Sequence, residues 1–313
     1  MIVIRYCGGL GNQMFQYAMQ YSLTRKYPSQ VIKGENFHYN IEHEHNGFEL
    51  DNVFKIKIKL ASKADFRKVY NGLIYSKKCQ KLPKNIKRFI LHNFQNKYLS
   101  IMNRIFRKKA KKTIYDDSQN NYVDKIDELQ NGDWYLRGFW QRTDYFEPYR
   151  DELINIFSLE SKLSDFDKKL LKKLSSKEVV AVHVRGGDFL NAKYNLCDIS
   201  YYKKALDIIN PNNLPLVIFT DDVEYAKNFF KNYTIDAIIS HDITQSKIDM
   251  YMMSKAKSIV ISNSTFSFWG AYLSTIKSQE VVAPRYASWD GKQYRLFPVR
   301  KKWIIVDNSN ERN

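Results

Sequence analysis

The stretch Val179-Val180-Ala181-Val182-His183-Val184-Arg185-Gly186-Gly187-Asp188 decides how this chain is read. A β-branched apolar run marks a strand buried on both faces, and such strands belong to parallel sheets. The run ends in His-x-Arg-x-x-Asp, so a guanidinium and a carboxylate arrive together at the C-terminal tip of the strand. In an open α/β sheet that edge is where ligands bind. The planar fork of Arg185 donates two parallel hydrogen bonds and keeps its charge at any working pH, which suits a diphosphate. The same six residues also fit an Arg–Asp pair that only closes a turn.

Beyond residue 150 the pattern is regular. The spacing predicts a helical stretch over 151–174 and strands over 179–184, 216–220, 237–239, 258–262 and 280–283. Helices over 201–209, 223–231, 247–257 and 265–275 fall between them. Strands alternating with short helices argue for a doubly wound parallel sheet. Three polar clusters follow predicted strands: His183–Asp188, Thr220-Asp221-Asp222 and Ser262-Asn263-Ser264-Thr265. Parallel strands put all three at one edge. Ser264 and Thr265 open a helix, where free amides and the positive dipole end attract an anion; the same pair also reads as ordinary N-capping. Asp221 and Asp222 fit three roles: N-caps, acceptors for a nucleobase such as guanine, or a metal pair, the last lacking further carboxylates.

Before residue 150 the signal is sparser. Ile2–Tyr6 reads as a strand, Gly8-Gly9-Leu10-Gly11 as a tight turn, and Asn12 as the N-cap of a helix to Lys26. Met14, Tyr17, Ala18 and Tyr21 then share the core face of that helix. Gly8–Gln13 gives half of a dinucleotide fingerprint, but the third glycine of G-x-G-x-x-G would fall at Met14, which weakens an oxidoreductase reading. The loop still offers the Gly11 backbone amide and the Asn12 side chain to a ligand. Residues 28–60 show no clear periodicity. Residues 89–112 read as a basic amphipathic helix, suited to an anionic membrane surface or to core packing with a solvated face.

The chain has 313 residues, 44% of them hydrophobic, enough for two domains of about 150 residues each. Fifty Lys and Arg against 33 Asp and Glu give a net charge of +17, which attracts phosphorylated partners, acidic headgroups or nucleic acid. No nucleic-acid-binding motif accompanies the charge. Cys7, Cys79 and Cys197 are widely spaced and odd in number, against a disulfide framework and in keeping with a reducing cytoplasm. No stretch approaches the roughly 18 uninterrupted apolar residues of a membrane span, and no signal peptide opens the chain.

Gly-Gly-Leu-Gly-Asn-Gln-Met-Phe-Gln-Tyr-Ala at 8–18, His-x-Arg-x-x-Asp at 183–188 and Asn-Ser-Thr-Phe-Ser-Phe-Trp-Gly-Ala at 263–271 together resemble glycosyltransferase family 11, the α-1,2-fucosyltransferases. Phe48-Glu49-Leu50-Asp51, Gly138-x-Trp140-Gln141 and Tyr145-Phe146 resemble further segments in the same order. The resemblance implies an α/β fold of GT-B type, with two Rossmann-like domains facing a cleft. Residues 1–150 would bind the acceptor and 151–313 the donor GDP-fucose. It implies inverting transfer of L-fucose from GDP-β-L-fucose to O2 of a terminal galactose, with no metal or other cofactor. Arg185 would bind the β-phosphate, Ser264 and Thr265 would cap the diphosphate beside Asn263, Asn12 and Gly11 would approach it, and Asp221 or His183 would hold guanine. Gly186 stands where the family often has a second arginine.

Arg185 would then act as a catalytic group by stabilising the departing diphosphate. Asp188 is a candidate base, or else the group that orients Arg185; Glu35, Asp51, His38 and His43 are further candidates for the base. The remaining partners expected are a galactose-terminated oligosaccharide, lipid-linked at the inner face of the membrane, and that membrane itself through 89–112. The expected location is the cytoplasm. The alternatives are another nucleotide-sugar transferase of the same fold and a fucosyltransferase of different linkage.

Overall fold

The computed structural model describes residues 1–40, 46–69, 83, 112–116, 126–157, 163–190, 194, 196–242 and 245–309. The chain forms two compact units, Met1–Trp140 with Asp144–Pro148, and Gln141–Thr143 with Tyr149–Asn313.

The first unit contains β1 (Ile2–Arg5), α1 (Leu10–Lys26), β2 (Ile32–Glu35), α2 (Leu50–Phe54), α3 (Lys63–Val69), β3 (Lys112–Asp116) and β4 (Trp134–Gly138). Its sheet runs β2-β1-β4-β3, with every pair parallel. Ile2, Val3 and Ile4 are fully buried, as a central strand requires. The order reverses between β1 and β4, so the glycine loop after β1 sits at a topological switch point. Helix α1 is capped by Gly9, not by the expected Asn12, which lies inside the first turn. Its core residues are Met14, Phe15, Ala18 and Met19, whereas Tyr17 and Tyr21 stack on each other at the half-exposed side. Strand β2 falls where no periodicity is visible. At four residues containing Lys33, Gly34 and Glu35, it is too short and too polar to announce itself.

The second unit contains α4 (Arg150–Ile156), α5 (Asp165–Ser176), β5 (Val180–Val184), α6 (Ile199–Ile209), β6 (Leu216–Thr220), α7 (Val223–Phe229), β7 (Ile235–Ile239), α8 (Ser246–Lys255), β8 (Ser258–Val260), α9 (Thr265–Tyr272), β9 (Glu280–Pro284), the hairpin β10 (Tyr286–Trp289) and β11 (Tyr294–Leu296), and β12 (Ile304–Val306). The helix expected over 151–174 is two helices. Ser164 starts the second by a capping box with Asp167, whose carboxylate also accepts the Ser164 hydroxyl at 2.6 Å.

The large sheet runs β12-β9-β8-β5-β6-β7 and is parallel throughout. In chain order this is the doubly wound sequence of a dinucleotide-binding domain, with its switch point between β5 and β8. Val180, Val182 and Val184 pack against Tyr201, Tyr202 and Leu206 of α6 on one face. Arg150 holds α9 from its far end, donating through Nε and Nη2 to the Tyr272 carbonyl at 3.1 and 2.7 Å and through Nη2 to Ser274. A cation at a helix C-terminus complements the dipole. Among the described residues no helix is long and apolar enough to cross a membrane. The expected helix over 89–112 lies, apart from Lys112, outside the described residues.

Candidate active site

Register brings the polar tips of the second unit to one level: Val184 pairs with Thr220, and Val182 with Val260. Arg185 therefore leaves β5 at the switch point, with the β6 tip on one side and the β8 tip on the other. His183 closes the gap beneath it. Its Nδ1 lies 2.9 Å from Ser262 Oγ, its carbonyl accepts from the Tyr202 hydroxyl at 2.9 Å, and its ring lies 6.1 Å from that of Phe266. Burial, and then the nearby Arg185 guanidinium, push the His183 imidazole down to about 3, so it is neutral in any working buffer.

This buried histidine has a consequence for stability. The unfolded chain binds a proton at His183 below about pH 6.5 while the native state stays unprotonated until about pH 3. Stability is therefore full above pH 6.5 and lost progressively as pH falls, by about 2 kcal/mol between pH 6.5 and 5. A His183→Gln variant is expected to show a shallower decline of melting temperature over that interval. Parallel declines in the two proteins would contradict the assignment.

Arg185 pairs with Asp221, Nη1 to Oδ2 at 2.8 Å, and its guanidinium lies over the Phe189 ring at 5.4 Å. Asp221 Oδ1 accepts the Gly186 amide at 2.8 Å. Asp222 is the N-cap of α7, accepting from the Tyr225 amide at 3.0 Å. Asp221 thus holds both Arg185 and the backbone next to it. Asp188 lies in the 3-10 turn Gly187–Leu190, and its side chain falls outside the described residues.

Gly186 fits its position for a steric reason. A Cβ there would lie 2.6 Å from Asp222 Cβ, which belongs to a helix cap and has little room to retreat. Gly186→Ala is expected to cost about 1–3 kcal/mol by forcing the β5 and β6 tips apart. An unchanged denaturant midpoint would show that the two loops separate freely.

At the third tip, Ser264 caps α9, its Oγ accepting the Phe266 amide at 3.3 Å. Capping does not exclude anion binding, because the hydroxyl can still donate. Thr265, the first residue of α9, is half-exposed. Asn263 has a structural task. Both amide hydrogens are engaged, by the Tyr194 and Ala287 carbonyls at 2.8 and 2.9 Å, so it ties two neighbouring loops to the β8 tip. The helix below is rigid: Trp269 packs edge-on against Phe157 at 5.4 Å, and Phe268 against Trp303 at 5.4 Å.

In the first unit, Gly11 is buried and Asn12 half-exposed at the start of α1. Gly8 has φ +77°, and its missing Cβ would lie 2.6 Å from Asn12 Nδ2, so this turn needs glycine. Gln13, Gln16 and Gln20 hold the loops around it from the buried side of α1. Gln13 donates to the Gly8 and Gly47 carbonyls at 3.0 and 2.9 Å and accepts from the Glu49 and Leu50 amides at 3.0 and 3.2 Å. Gln16 accepts from the Cys7 amide at 3.0 Å and donates to the Gly138 carbonyl at 3.2 Å. Gln20 Oε1 accepts the Tyr6 hydroxyl at 2.8 Å. Sequence reasoning missed these three residues, although glutamines at i, i+3 and i+7 among buried apolar neighbours are the available signal.

Glu35 is fully buried, accepting from the Tyr135 hydroxyl at 2.6 Å and the Phe37 amide at 2.9 Å, which is the environment of a structural carboxylate. Asp51 sits in the first turn of α2 and accepts from the Asn52 amide at 2.9 Å. His43 and the side chain of His38 lie outside the described residues. No group of three His, Cys, Asp or Glu side chains suited to a metal ion occurs among the described residues.

The profile of the family described as Glycosyl transferase family 11 matches residues 1–306. The chain belongs to that family. It is 28% identical over 319 residues to an O-antigen biosynthesis glycosyltransferase, WbnK, of Escherichia coli, covering 95% of this chain and 97% of that one. It is also 28% identical over 318 residues to an alpha-1,2-colitosyltransferase of Escherichia coli, covering 98% and 99%. A putative galactoside 2-alpha-L-fucosyltransferase, svh-11, of Caenorhabditis elegans is 29% identical over 167 residues, covering 46% of this chain and 44% of that one. The family 11 chain is thus a glycosyltransferase with two parallel α/β units, and its arginine stands at the switch point of the second.

Proposed function

We propose that this enzyme transfers L-fucose from GDP-β-L-fucose to O2 of a terminal galactose, in the assembly of a surface polysaccharide such as an O-antigen. The observation that carries the reading is Arg185 at the tip of β5, at the β5–β8 switch point, with neutral His183 joining that strand to Ser262 just before the N-terminus of α9. In this reading the guanidinium and the α9 amides bind the diphosphate, with Ser264 and Thr265 adding hydroxyl donors. Gly11 and Asn12 are further groups proposed to contact the donor.

The chemistry is a single displacement. The acceptor oxygen bonds to the anomeric carbon as the carbon–oxygen bond to the diphosphate breaks, and the electron pair leaves with GDP. Arg185 and the helix terminus offset that growing charge, and such electrostatic stabilisation often contributes more to catalysis than any other effect. Asp188 is the candidate base for the acceptor proton. No metal is assigned a role, because Asp221 is engaged by Arg185 and Gly186, and Asp222 by the α7 cap. The acceptor is taken to be lipid-linked at the inner membrane face, reached from the cytoplasm with the +17 chain drawn to acidic headgroups.

The test is GDP release from GDP-fucose in EDTA, with and without lactose or lacto-N-biose. Acceptor-dependent release, with fucose recovered on galactose O2, supports the donor, the linkage and the absence of a metal requirement. Absence of release across a broad galactoside panel, with no binding of GDP in preference to UDP, overturns it. The near-full-length likeness to a colitosyltransferase favours a second reading, in which the donor carries colitose. Colitose lacks the 3-hydroxyl of fucose, so direct competition between the two donors separates the readings.

A further inference from the structure

Resting on the proposed diphosphate role of Arg185, we infer that Asp221 is a positioning residue for that arginine, not a contact to the nucleobase. Its two oxygens point to two groups of the β5 tip. Oδ2 takes Arg185 Nη1 at 2.8 Å, and Oδ1 takes the Gly186 amide at 2.8 Å. One carboxylate thereby fixes a guanidinium and the backbone that carries it. The Phe189 ring, 5.4 Å from the guanidinium, restrains its plane. Asp221 itself is held because the next residue caps α7.

Gly186 makes this clamp possible. The backbone at 186 lies so close to the β6 tip that a Cβ would meet Asp222 Cβ at 2.6 Å and Asp222 Oδ2 at 3.3 Å. An arginine at 186 would hold the two tips apart and lengthen the amide's reach to Asp221. At residue 186 this chain has a closed junction, and that junction orients Arg185. The arrangement carries a charge consequence as well. The carboxylate partly neutralises Arg185, so its removal weakens orientation while leaving more positive charge for an anion.

That combination gives a kinetic signature that loss of a base contact would not. Asp221→Asn keeps an oxygen for the Gly186 amide but loses the charge, and Asp221→Ala loses both. In donor-saturation assays with GDP-fucose, kcat is expected to fall about 10-fold in the first and up to about 100-fold in the second, the range for groups that orient a reacting group's neighbours. The KM for donor stays the same or falls, and the ratio of GDP to ADP inhibition constants is unchanged. A raised KM with loss of the GDP preference would overturn the inference in favour of a base contact. Equal losses of active fraction and melting temperature, with normal kcat per active site, would overturn it in favour of a purely structural role.

A readout without nucleotide keeps the positioning claim separate from the choice of donor. The side-chain Nε–H resonance of Arg185, assigned by comparison with Arg185→Lys, is expected to report restricted guanidinium motion in the native protein and averaging in Asp221→Ala. Identical Arg185 dynamics in both proteins would overturn the clamp, whatever the protein does with GDP. Restricted motion that is lost in the variant, together with absent GDP binding by the native enzyme, would sustain the clamp and sink the donor reading instead.

Discussion

Arg185→Lys should lower turnover by about 10²–10³-fold, nearly as far as Arg185→Ala, because one donor to a developing oxyanion is worth that much and lysine cannot replace a fork. Arg185 meets Asp221 on one side through Nη1, and a diphosphate would be met by another edge of the same plane. A lysine ammonium is a point charge that can satisfy Asp221 or the diphosphate, with no fixed geometry linking the two. Initial rates with GDP-fucose and a galactoside, at donor saturation, measure the effect directly. Turnover within a few-fold of the parent enzyme would remove Arg185 from the chemistry and leave it as the closing pair of a turn.

The largest effect expected on folding comes from a residue that touches no substrate in this reading. Gln13→Glu is nearly isosteric, yet it should destabilise the first unit by about 3 kcal/mol or more. The glutamine amide is fully used: two hydrogens go to the Gly8 and Gly47 carbonyls, and the oxygen accepts from the Glu49 and Leu50 amides. A carboxylate keeps the acceptor half and turns the donor half into an anion facing two carbonyl oxygens in a buried site. A buried acceptor without a donor, plus charge burial, supplies that magnitude. For a unit of this size the melting temperature should fall by about 10 °C. Gln13→Ala should fall by a similar amount, since it strands all four backbone groups. A drop of only one or two degrees in either variant would mean that water replaces the amide readily.

The second unit was legible because its strands are apolar, β-branched and separated by short amphipathic helices. β6 is found over the predicted residues, and β5, β7, β8 and β9 lie within a few residues of their predicted limits. The carboxyl-edge position of the arginine followed from that alternation alone. The hairpin after β9 and the edge strand β12 were not legible. The hairpin's stability comes from cross-strand rings, Tyr286 on Tyr294 and Trp289 on Tyr294, each at 4.6 Å, which leave no period-two apolar pattern in so short a stretch. In the first unit the useful signal is polar. Gln13, Gln16 and Gln20 organise the glycine loop, and a search for apolar periodicity passes over them.

At the site, residue types were easier to foresee than pairings. Ser264 was readable as a cap because caps are local in sequence. The pairing of Arg185 with Asp221 was not, since the sequence offered only Asp188 for that task and sheet order alone puts Asp221 alongside. The links from the Asn263 amide to the Tyr194 and Ala287 carbonyls were not readable either. Side chains that join loops distant in sequence are invisible until the strand order is known.

The limits of the two units also bear on how the enzyme can be taken apart. Gln141–Thr143 belongs with the second unit although Asp144–Pro148 belongs with the first, so the polypeptide passes the seam three times. A fragment starting at Tyr149 loses the Thr143 hydroxyl that donates to the Val299 carbonyl at 3.1 Å. A fragment starting at Gln141 carries along five residues whose packing lies elsewhere, including Phe146, which sits edge-on to Phe15 at 5.8 Å. Chimaeras that exchange the first unit between relatives therefore have no single clean joint here, because 140–149 alternates between the two units.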